Sequence, residues 1–247
     1  MIQISARFIR NPLIRRVFAI YNKFPLLRNL PIIFVDAEGF RYHAEIQDWW
    51  RFAKPFEPLT REFLVKNAEE NDVFLDVGAH IGIYTVRLAE IVRRVIALEP
   101  EPRNYRFLLR NVIINGVNDR VVVLPIAASD RDGYAYLCIK RSSGAHSLEE
   151  AKSCVKRVKV IIMNIDTLLR ILNVDRVDMV KIDVEGHEDK VVKGMTNLLD
   201  RNPPRVIVLE TKKENLNLRS YLVEKGYRYT VLDCWDSTCN YGFYLVK

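Results

Sequence analysis

Residues 76–85 read DVGAHIGIYT and directly follow the apolar run Val73-Phe74-Leu75. The apolar residues predict a buried strand over 73–77, and the pattern behind the loop predicts a helix over 82–91. Between them lie an acid and two glycines four residues apart. Glycine destabilises the interior of a strand or helix by about 0.5–1 kcal/mol relative to alanine. We therefore expect a turn here in which side chains are excluded at the glycines, with a ligand beside its backbone.

Outward from this stretch, strand and helix patterns alternate along the chain from residue 59. The predicted strands cover 73–77, 94–98, 121–127, 134–140, 155–163, 179–184, 206–209, 227–232 and 241–246. The predicted helices cover 60–69, 82–91, 102–115, 166–172, 187–200 and 215–225. This alternation, with strands rich in Val, Ile and Leu, predicts an α/β fold with helices on both faces of a parallel sheet. The last two strands predict an antiparallel terminal hairpin, which makes the sheet mixed.

We divide the 247 residues into a basic N-terminal extension, 1–58, and a main domain, 59–247. The formal net charge is +7, and the first 35 residues carry six basic residues with no acid, which leaves +1 for the rest. Such a segment is either a solvated extension or a contact for an acidic surface such as anionic lipid, a phosphorylated substrate or nucleic acid.

Within the extension, Asn11-Pro12 has the sequence of a helix start. Leu13, Ile14, Val17, Ile20 and Tyr21 then fall on one face of an amphipathic helix. That helix either packs on the body or lies on a membrane surface. A strand pair is predicted within 32–46. The aromatic stretch at 49–52 belongs to the core or walls a pocket.

Composition limits the remaining classes of protein. With 28% charged residues and no apolar run near the ~20 residues of a membrane span, we expect no transmembrane segment. We also expect no signal peptide, and hence a cytoplasmic protein with possible peripheral membrane contact. The four cysteines lack metal-site spacing, so no metal site is expected. Cys234 and Cys239 can face each other across the last hairpin. In a cytoplasmic protein we expect free thiols, except that the cytosol of hyperthermophiles tolerates disulfides.

The glycine loop itself limits the ligand. Its spacing is G-x-x-x-G, and His80 stands where a dinucleotide fingerprint has its second glycine. The loop also lacks the lysine and Ser/Thr of a phosphate-binding P-loop. Gly78 can take positive φ and let a ligand approach the backbone, whereas Gly82 permits close packing of the helix. We therefore expect a ligand with little or no phosphate. A nicotinamide-dependent oxidoreductase remains the alternative within the same fold class.

Polar residues follow three further strands. Glu99, before Pro100, ends the second strand of the sheet and can accept hydrogen bonds from both hydroxyls of a ribose. Small residues around Ala128 leave room for a flat base. At the carboxyl end of strand 179–184, the acids Asp183 and Glu185 alternate and are followed by His187. Two carboxylates and an imidazole so close together can orient a polar acceptor and remove its proton. Acids at a helix N-terminus also favour the helix dipole, which is the structural alternative.

Together these motifs resemble the FkbM-type family of S-adenosylmethionine-dependent methyltransferases over roughly residues 55–232. The resembling blocks are FLDVGAHIGIYT, ALEPEPRNYRFLLRNVIIN, VDMVKIDVEGHE, VVKGM and VIVLE. The resemblance implies the class I, Rossmann-like methyltransferase fold, with a seven-stranded sheet whose last strand is antiparallel. It also implies methylation of a hydroxyl, often on a sugar, a glycolipid or a related metabolite.

The resemblance implies roles for individual residues. Asp76, Gly78 and Gly82 would hold the methionine part of S-adenosylmethionine, and Glu99 its ribose. Asp183 and Glu185 would lie beside the sulfonium and the acceptor. The candidate cofactor set is completed by Ala79, His80, Thr85, Pro100, Ala128 and Asp183, and the candidate catalytic set is Asp183, Glu185 and His187. The family usually has Asn at the position of His80 and varied residues at that of His187.

Alternatives remain for the acceptor and for the activity itself. A docking module without catalysis would use the basic extension to bind membrane or nucleic acid. A nucleic-acid acceptor is not expected, because the N/D-P-P-Y/F block typical of base-amine methylation is absent. The sequence fixes neither the general base nor the oligomeric state.

Overall fold

The computed structural model describes residues 3–21, 23–24, 27, 29–149 and 154–246. Its strands are β1 Gln3–Ser5, β2 Pro31–Val35, β3 Arg41–Glu45, β4 Val73–Val77, β5 Arg94–Leu98, β6 Val121–Leu124, β7 Ile126–Ser129, β8 Gly133–Ile139, β9 Lys156–Asn164, β10 Met179–Ile182, β11 Val206–Lys212, β12 Tyr227–Trp235 and β13 Thr238–Leu245. Its α-helices are α1 Ala6–Ile9, α2 Pro12–Tyr21, α3 Trp49–Ala53, α4 Pro58–Asn67, α5 Ile83–Ala89, α6 Pro102–Ile114, α7 Ile165–Ile171, α8 Glu188–Lys193, α9 Thr196–Arg201 and α10 Leu216–Glu224. A 3₁₀ turn, Ile46–Asp48, precedes α3.

Seven strands form the central sheet in the order β12-β13-β11-β10-β4-β5-β6. The strands from β11 to β6 run parallel, whereas β13 is antiparallel to both of its neighbours. This arrangement confirms the predicted mixed sheet with its antiparallel terminal hairpin. It also places the carboxyl ends of β4, β5 and β10 side by side.

Helices cover both faces of this sheet. Along β4, successive buried side chains belong alternately to two apolar clusters, one on each face. Phe74 packs into one apolar cluster together with residues of α4, α5 and α6. Val73, Leu75 and Val77 point to the opposite face and pack with residues of α7, α8, α9 and α10. Each face of a strand takes every second residue, so a run that is apolar throughout must be covered on both sides.

The N-terminal segment forms a small sheet of its own, β1-β2-β3. Buried residues of this sheet, such as Phe34 and Tyr42, belong to the same apolar cluster as Phe74 of β4. The strand pair predicted within 32–46 is confirmed. The boundary at residue 58 stays a prediction, because one apolar cluster extends across it.

Helix α2 begins where the sequence predicts, since the Asn11 side chain accepts the Leu13 amide at 2.9 Å. Its burial differs from the prediction, because Phe18 is the buried residue and stacks on Trp49 at 6.0 Å. Leu13 and Ile20, on the predicted apolar face, remain 67% and 56% exposed.

Two predicted elements are divided in the structure. The strand predicted over 121–127 is two strands in different sheets, β6 and β7, separated at Pro125. Proline has no amide hydrogen for a ladder, so the chain leaves the central sheet there. The helix predicted over 187–200 is interrupted at Gly194, where a Cβ would lie 2.0 Å from the Ser129 carbonyl oxygen. Close contact with β7 thus separates α8 from α9.

The expectation of four free thiols is wrong for two of them. Cys234 and Cys239 are directly paired across the β12–β13 hairpin and form a disulfide. Because the hairpin register brings them together, the bond forms without a rearrangement of the backbone. Cys138 and Cys154 are free. Among the described residues, no helix is long and apolar enough to cross a membrane.

Candidate functional site

A cleft of about 880 Å³, including solvent at its mouth, lies at the carboxyl ends of β4, β5 and β10. Ligands of open α/β sheets bind at this edge because the loops that follow parallel strands converge there. The cleft is lined by most of the residues singled out in the sequence: Asp76, Gly78, Ala79, His80, Glu99, Pro100, Ala128, Asp183, Glu185 and His187. Gly82 and Thr85 are absent from its lining.

At both glycines of the loop after β4, neighbouring protein atoms leave no room for a side chain. Gly78 has φ +82°, and a Cβ there would lie 1.8 Å from the carbonyl oxygen of Asp183. Gly82 has φ +87°, and a Cβ there would lie 2.4 Å from Leu108 Cδ1. The close packing expected at Gly82 is therefore confirmed. The expectation that Gly78 is bare for a ligand is corrected, because its missing side chain makes room for the β10 loop.

His80 adopts the left-handed conformation, with φ +53°. Asn and His are among the residues that tolerate this region, which gives a physical reason why an amide and an imidazole can replace each other here. Its backbone N–H donates to Glu99 Oε2 at 2.8 Å. Burial, followed by repulsion from Arg51, lowers its pKa well below the usual value, so the ring is neutral. Its Nε2 is buried, and no described residue offers it a hydrogen bond.

Glu99 is 5% exposed and ends β5 at the cleft. One carboxylate oxygen accepts the amide of His80 and the other accepts the amide of Glu101, both at 2.8 Å. Burial raises the pKa of Glu99 to about 8, although these two hydrogen bonds favour the carboxylate. The side chain is thus fixed at the cleft wall with acceptor capacity left for a ligand that brings hydroxyl donors.

Asp76 is supported from behind by Thr85, which donates to Asp76 Oδ2 at 2.6 Å. Thr85 is fully buried, so the structure places it behind Asp76 and away from the cleft. The second oxygen, Oδ1, is buried and has no hydrogen-bond partner within the described part of the chain. Burial raises the pKa of Asp76, against the attraction of Lys181. A buried acceptor without a partner at a cleft wall is suited to a donor brought by a ligand.

Lys181 and Asp183 form an ion pair of 2.8 Å at the floor of the cleft. Lys181 is 2% exposed, and Glu57, Asp76 and Asp183 surround its ammonium. Burial opposes the charged form, but these carboxylates raise the pKa of Lys181 above its usual value. Glu57 also accepts the Tyr84 hydroxyl at 2.6 Å. The ammonium of Lys181 is therefore neutralised by its neighbours.

Glu185 follows the strand end in a left-handed conformation, with φ +54°. Glu185 is exposed to solvent at the mouth of the cleft. Desolvation of its carboxyl group and repulsion from Asp183 nevertheless raise its pKa to about 7. A carboxyl group with a pKa near neutrality can both accept and release a proton under ordinary conditions.

His187 differs from Glu185 because the ring is 5% exposed and both of its nitrogens are occupied. Nε2 lies 3.0 Å from Ser129 Oγ, and Nδ1 lies 2.8 Å from Glu149 Oε1. Burial lowers the pKa of His187, although its hydrogen bond to Glu149 favours the charged ring. The carboxylate can only accept, so in the neutral ring Nδ1 donates to Glu149. Nε2 then carries the basic lone pair of the ring and lies against the Ser129 hydroxyl, which is also 3.3 Å from Asp130 Oδ1. Both nitrogens thus have a protein partner.

Residues 140–149, which follow β8, form a roof over the cleft. The Ser143 hydroxyl donates to Asp48 at 2.5 Å, and the Ser143 carbonyl oxygen accepts from Asn104 at 3.0 Å. On the other side, the Ser147 hydroxyl donates to the carbonyl oxygen of Glu185 at 2.7 Å. Residues 150–153 of the same connection lie outside the described residues.

Several cleft residues were not singled out individually in the sequence. They are Arg51, Phe56, Asn104, Ser143, His146 and Lys181. Lys181 could have been found from its position inside the otherwise apolar strand β10, because a buried lysine needs carboxylate partners. Of the aromatic stretch 49–52, Arg51 lines the cleft, whereas Phe52 is buried in the core beside Phe34.

The residues of the cleft fit S-adenosylmethionine. Among the described lining residues, four have acidic side chains, Asp76, Glu99, Asp183 and Glu185, and two are cations, Arg51 and Lys181. Those acidic groups that are ionised favour a positively charged ligand such as a sulfonium. Ile126, Ala127 and Ala128 supply a small apolar wall for a flat ring.

Comparisons with known proteins agree with this geometry. The family model described as "Methyltransferase FkbM domain" matches residues 76–229. Hexuronic acid methyltransferase AglP of Haloferax volcanii is 32% identical over 143 residues, which cover 55% of this chain and 55% of AglP. The chain thus matches about half the length of this curated relative.

Solved structures show the same fold. Methyltransferase FkbM from Methylobacillus flagellatus KT superposes with a TM-score of 0.52 at 20% identity, over 70% of this chain and 44% of that chain. The M. jannaschii protein TYW2, solved in complex with AdoMet, superposes with a TM-score of 0.50 at 17% identity, over 87% of each chain. At these identities the likeness establishes the class I methyltransferase fold.

Proposed function

Because the chain belongs to the family of methyltransferases with an FkbM domain, we propose that it transfers a methyl group from S-adenosylmethionine to an oxygen atom of a sugar. The observation that carries the proposal is Glu99, a buried carboxylate fixed by two backbone amides at the end of β5. This is the position from which an acid accepts both hydroxyls of a nucleoside ribose in folds of this class.

In this proposal the remaining cleft residues divide the cofactor among them. Gly78 and Ala79 border its methionine part, and the partnerless oxygen of Asp76 accepts from it. Pro100 and Ala128 contact the base. His80 would act through its backbone amide, which fixes Glu99 for the ribose.

The cofactor supplies an electrophilic methyl group, so the protein mainly has to hold the acceptor in line and manage its proton. We assign proton removal to Glu185, whose pKa of about 7 and exposure at the cleft mouth suit a general base. Asp183, paired with Lys181, positions the acceptor. His187, with both nitrogens occupied, is a positioning residue that holds the roof.

The acceptor class rests on the name of the relative, a hexuronic acid methyltransferase. We propose a sugar hydroxyl, free or on a glycolipid, with hexuronic acids as the first candidates. The test follows radiolabelled methyl transfer from S-adenosylmethionine to glucuronides, neutral glycosides, extracted glycolipids and total RNA. Label in the carbohydrate fractions is expected. Label in RNA alone would overturn the acceptor class, and stabilisation by NAD with none by S-adenosylhomocysteine would favour the oxidoreductase alternative.

We also propose that the N-terminal segment contacts an anionic membrane surface. Leu13, Val17 and Ile20 form an exposed apolar stripe on α2, and Arg16 is exposed beside it. A helix that presents apolar and basic side chains together is suited to the boundary between lipid headgroups and acyl chains. A sugar acceptor carried by a lipid would then be presented at the same surface.

A further inference from the structure

Arg51 lies in the wall of the cleft without a function in the scheme above. It borders the same cavity as His80 and Glu185, although it comes from α3, outside the strand-end motifs. Its side chain is 12% exposed. A charged group so far withdrawn from water normally has a close partner of opposite charge.

The guanidinium of Arg51 lies against two aromatic rings, Trp50 and Phe56, which contact each other edge to face with their centres 5.7 Å apart. Its Cζ lies 4.5 Å from the centre of the Trp50 ring and 4.8 Å from that of the Phe56 ring. Contacts of this kind fix the plane of the guanidinium and leave its edge free. The group is therefore pre-oriented before any ligand arrives.

The existing partner of Arg51 is weak. Asp48 Oδ1 lies 3.6 Å from Nε, and the same oxygen accepts the Ser143 hydroxyl at 2.5 Å. Nε is buried without a hydrogen-bond partner, and none of the hydrogen bonds found among the described residues involves the guanidinium. Leaving such donors unpaired costs free energy, which a ligand that accepts from them would recover.

The roof is also shaped around this group. A Cβ on Gly144 would lie 2.2 Å from Arg51 Nη2. The loop passes so close to Nη2 that a side chain at position 144 would displace the guanidinium. Lys181, the other cation of the cleft lining, differs because three carboxylates already surround its ammonium.

We propose that Arg51 forms a carboxylate-binding subsite of the cleft. A planar guanidinium with a free edge matches a carboxylate through two parallel N–H···O bonds. This inference rests on the proposed function, which supplies two sources for the carboxylate. One is the amino-acid end of the cofactor, and the other is the acid group of a uronic acid acceptor.

The test compares Arg51→Met and Arg51→Lys with the wild type, and with Arg201→Met as a control at an exposed site. Calorimetry measures binding of S-adenosylhomocysteine and of 5′-methylthioadenosine, which lacks the amino-acid end. Kinetics compare KM for a glucuronide and for the matching glucoside. Circular dichroism and thermal unfolding establish that each variant is folded, and Arg51→Lys preserves the charge if Arg51→Met does not fold.

Two outcomes support the subsite and distinguish its ligand. If the cofactor is the source, Arg51→Met weakens S-adenosylhomocysteine binding about 10- to 100-fold and leaves 5′-methylthioadenosine binding unchanged. If the acceptor is the source, cofactor binding is unchanged, and KM rises about tenfold or more for the glucuronide but not for the glucoside. Arg51→Lys gives an intermediate loss in either case, because an ammonium lacks the second aligned donor.

The contrary outcomes separate this inference from the proposed function. Unchanged binding and KM in both Arg51 variants of an active enzyme would overturn the subsite and leave the methyltransferase activity intact. An equal loss for S-adenosylhomocysteine and 5′-methylthioadenosine would assign Arg51 to general packing of the cleft and also overturn the subsite. A wild-type protein that binds neither molecule would overturn both proposals.

Discussion

His187 Nδ1 lies 2.8 Å from Glu149 Oε1, and this contact joins the loop after β10 to the roof of the cleft. The roof segment is held at the same place by Ser147 on the carbonyl oxygen of Glu185. Two residues that are 38 positions apart thus connect the loop after β10 with the roof.

We expect His187→Ala to loosen the roof and leave the chemical step nearly intact. Loss of two buried hydrogen bonds should lower the free energy of unfolding by about 1–3 kcal/mol and raise KM for the acceptor. Glu149→Gln is the matched variant, since its amide oxygen still accepts from Nδ1. Chemical unfolding and steady-state kinetics measure both effects. A fall of kcat by about 10³ at unchanged KM would instead identify His187 as the base.

Cofactor binding should depend on the ionisation of Glu99. Its pKa of about 8 means that the unliganded protein carries a proton there at neutral pH. Ribose hydroxyls that donate to the carboxylate release this proton, so affinity should rise with pH, by up to about tenfold per unit below pH 8. Calorimetry with S-adenosylhomocysteine between pH 6 and 9 measures the slope.

Glu99→Gln should remove this slope and bind more weakly than the wild type at pH 9. Glu90→Gln, at an exposed position, is the control and should keep the wild-type slope. An identical pH dependence in Glu99→Gln and the wild type would exclude Glu99 as the group that releases the proton on binding.

Glu185→Gln should lower kcat by about 10²–10⁴ and leave the affinity for S-adenosylhomocysteine unchanged, because the variant cannot accept the acceptor's proton. In the wild type, kcat should fall as the pH drops below about 7, where the raised pKa leaves Glu185 protonated. Glu224→Gln, on the exposed side of α10, controls for loss of negative charge. A wild-type kcat in Glu185→Gln would remove this residue from the chemical step.

Gly78→Ala should be strongly destabilising whether or not ligand is bound. The added Cβ meets the Asp183 carbonyl oxygen, and φ is +82°. We expect a loss of about 3 kcal/mol or more in the free energy of unfolding. Gly116→Ala shares a positive φ of +72° but has open space around it, so it should lose only about 1–2 kcal/mol. Equal losses in urea titrations of the two variants would contradict the contact with β10.

Binding to anionic vesicles should depend on the exposed stripe of α2. Replacing Leu13, Val17 and Ile20 by serine should weaken sedimentation with vesicles of phosphatidylglycerol and phosphatidylcholine by about tenfold or more. Pure phosphatidylcholine should bind little of either protein, because the segment is basic. The matched control replaces Val223 and Leu216, which are exposed on α10. If the α2 variant bound vesicles as well as the wild type, the proposed contact of α2 with the membrane would be contradicted.

The strand ends were predictable because local pattern determines them. Val73–Val77 and Arg94–Leu98 have the predicted bounds, and parallel strands necessarily bring their carboxyl ends together. Asp76, Glu99 and Asp183 could therefore be placed in one cleft from spacing alone.

Other features depend on contacts between distant segments, which no local pattern records. Arg51 reaches the cleft from the N-terminal part of the chain, and Glu149 reaches His187 from the roof. The reason for Gly78 is of the same kind, since the atom it avoids belongs to Asp183, more than a hundred residues later. The disulfide follows from the exact register of the last hairpin.

The division of one predicted strand at Pro125 has a consequence for how the fold can diversify. Beyond this residue the chain enters the sheet β7-β9-β8, and the β8–β9 pair carries the roof. Insertions or deletions within 140–149 would change the roof of the cleft, while the seven-stranded sheet keeps its register. Under the proposed function, new acceptor specificities can therefore arise in the roof without loss of the frame that holds the cofactor.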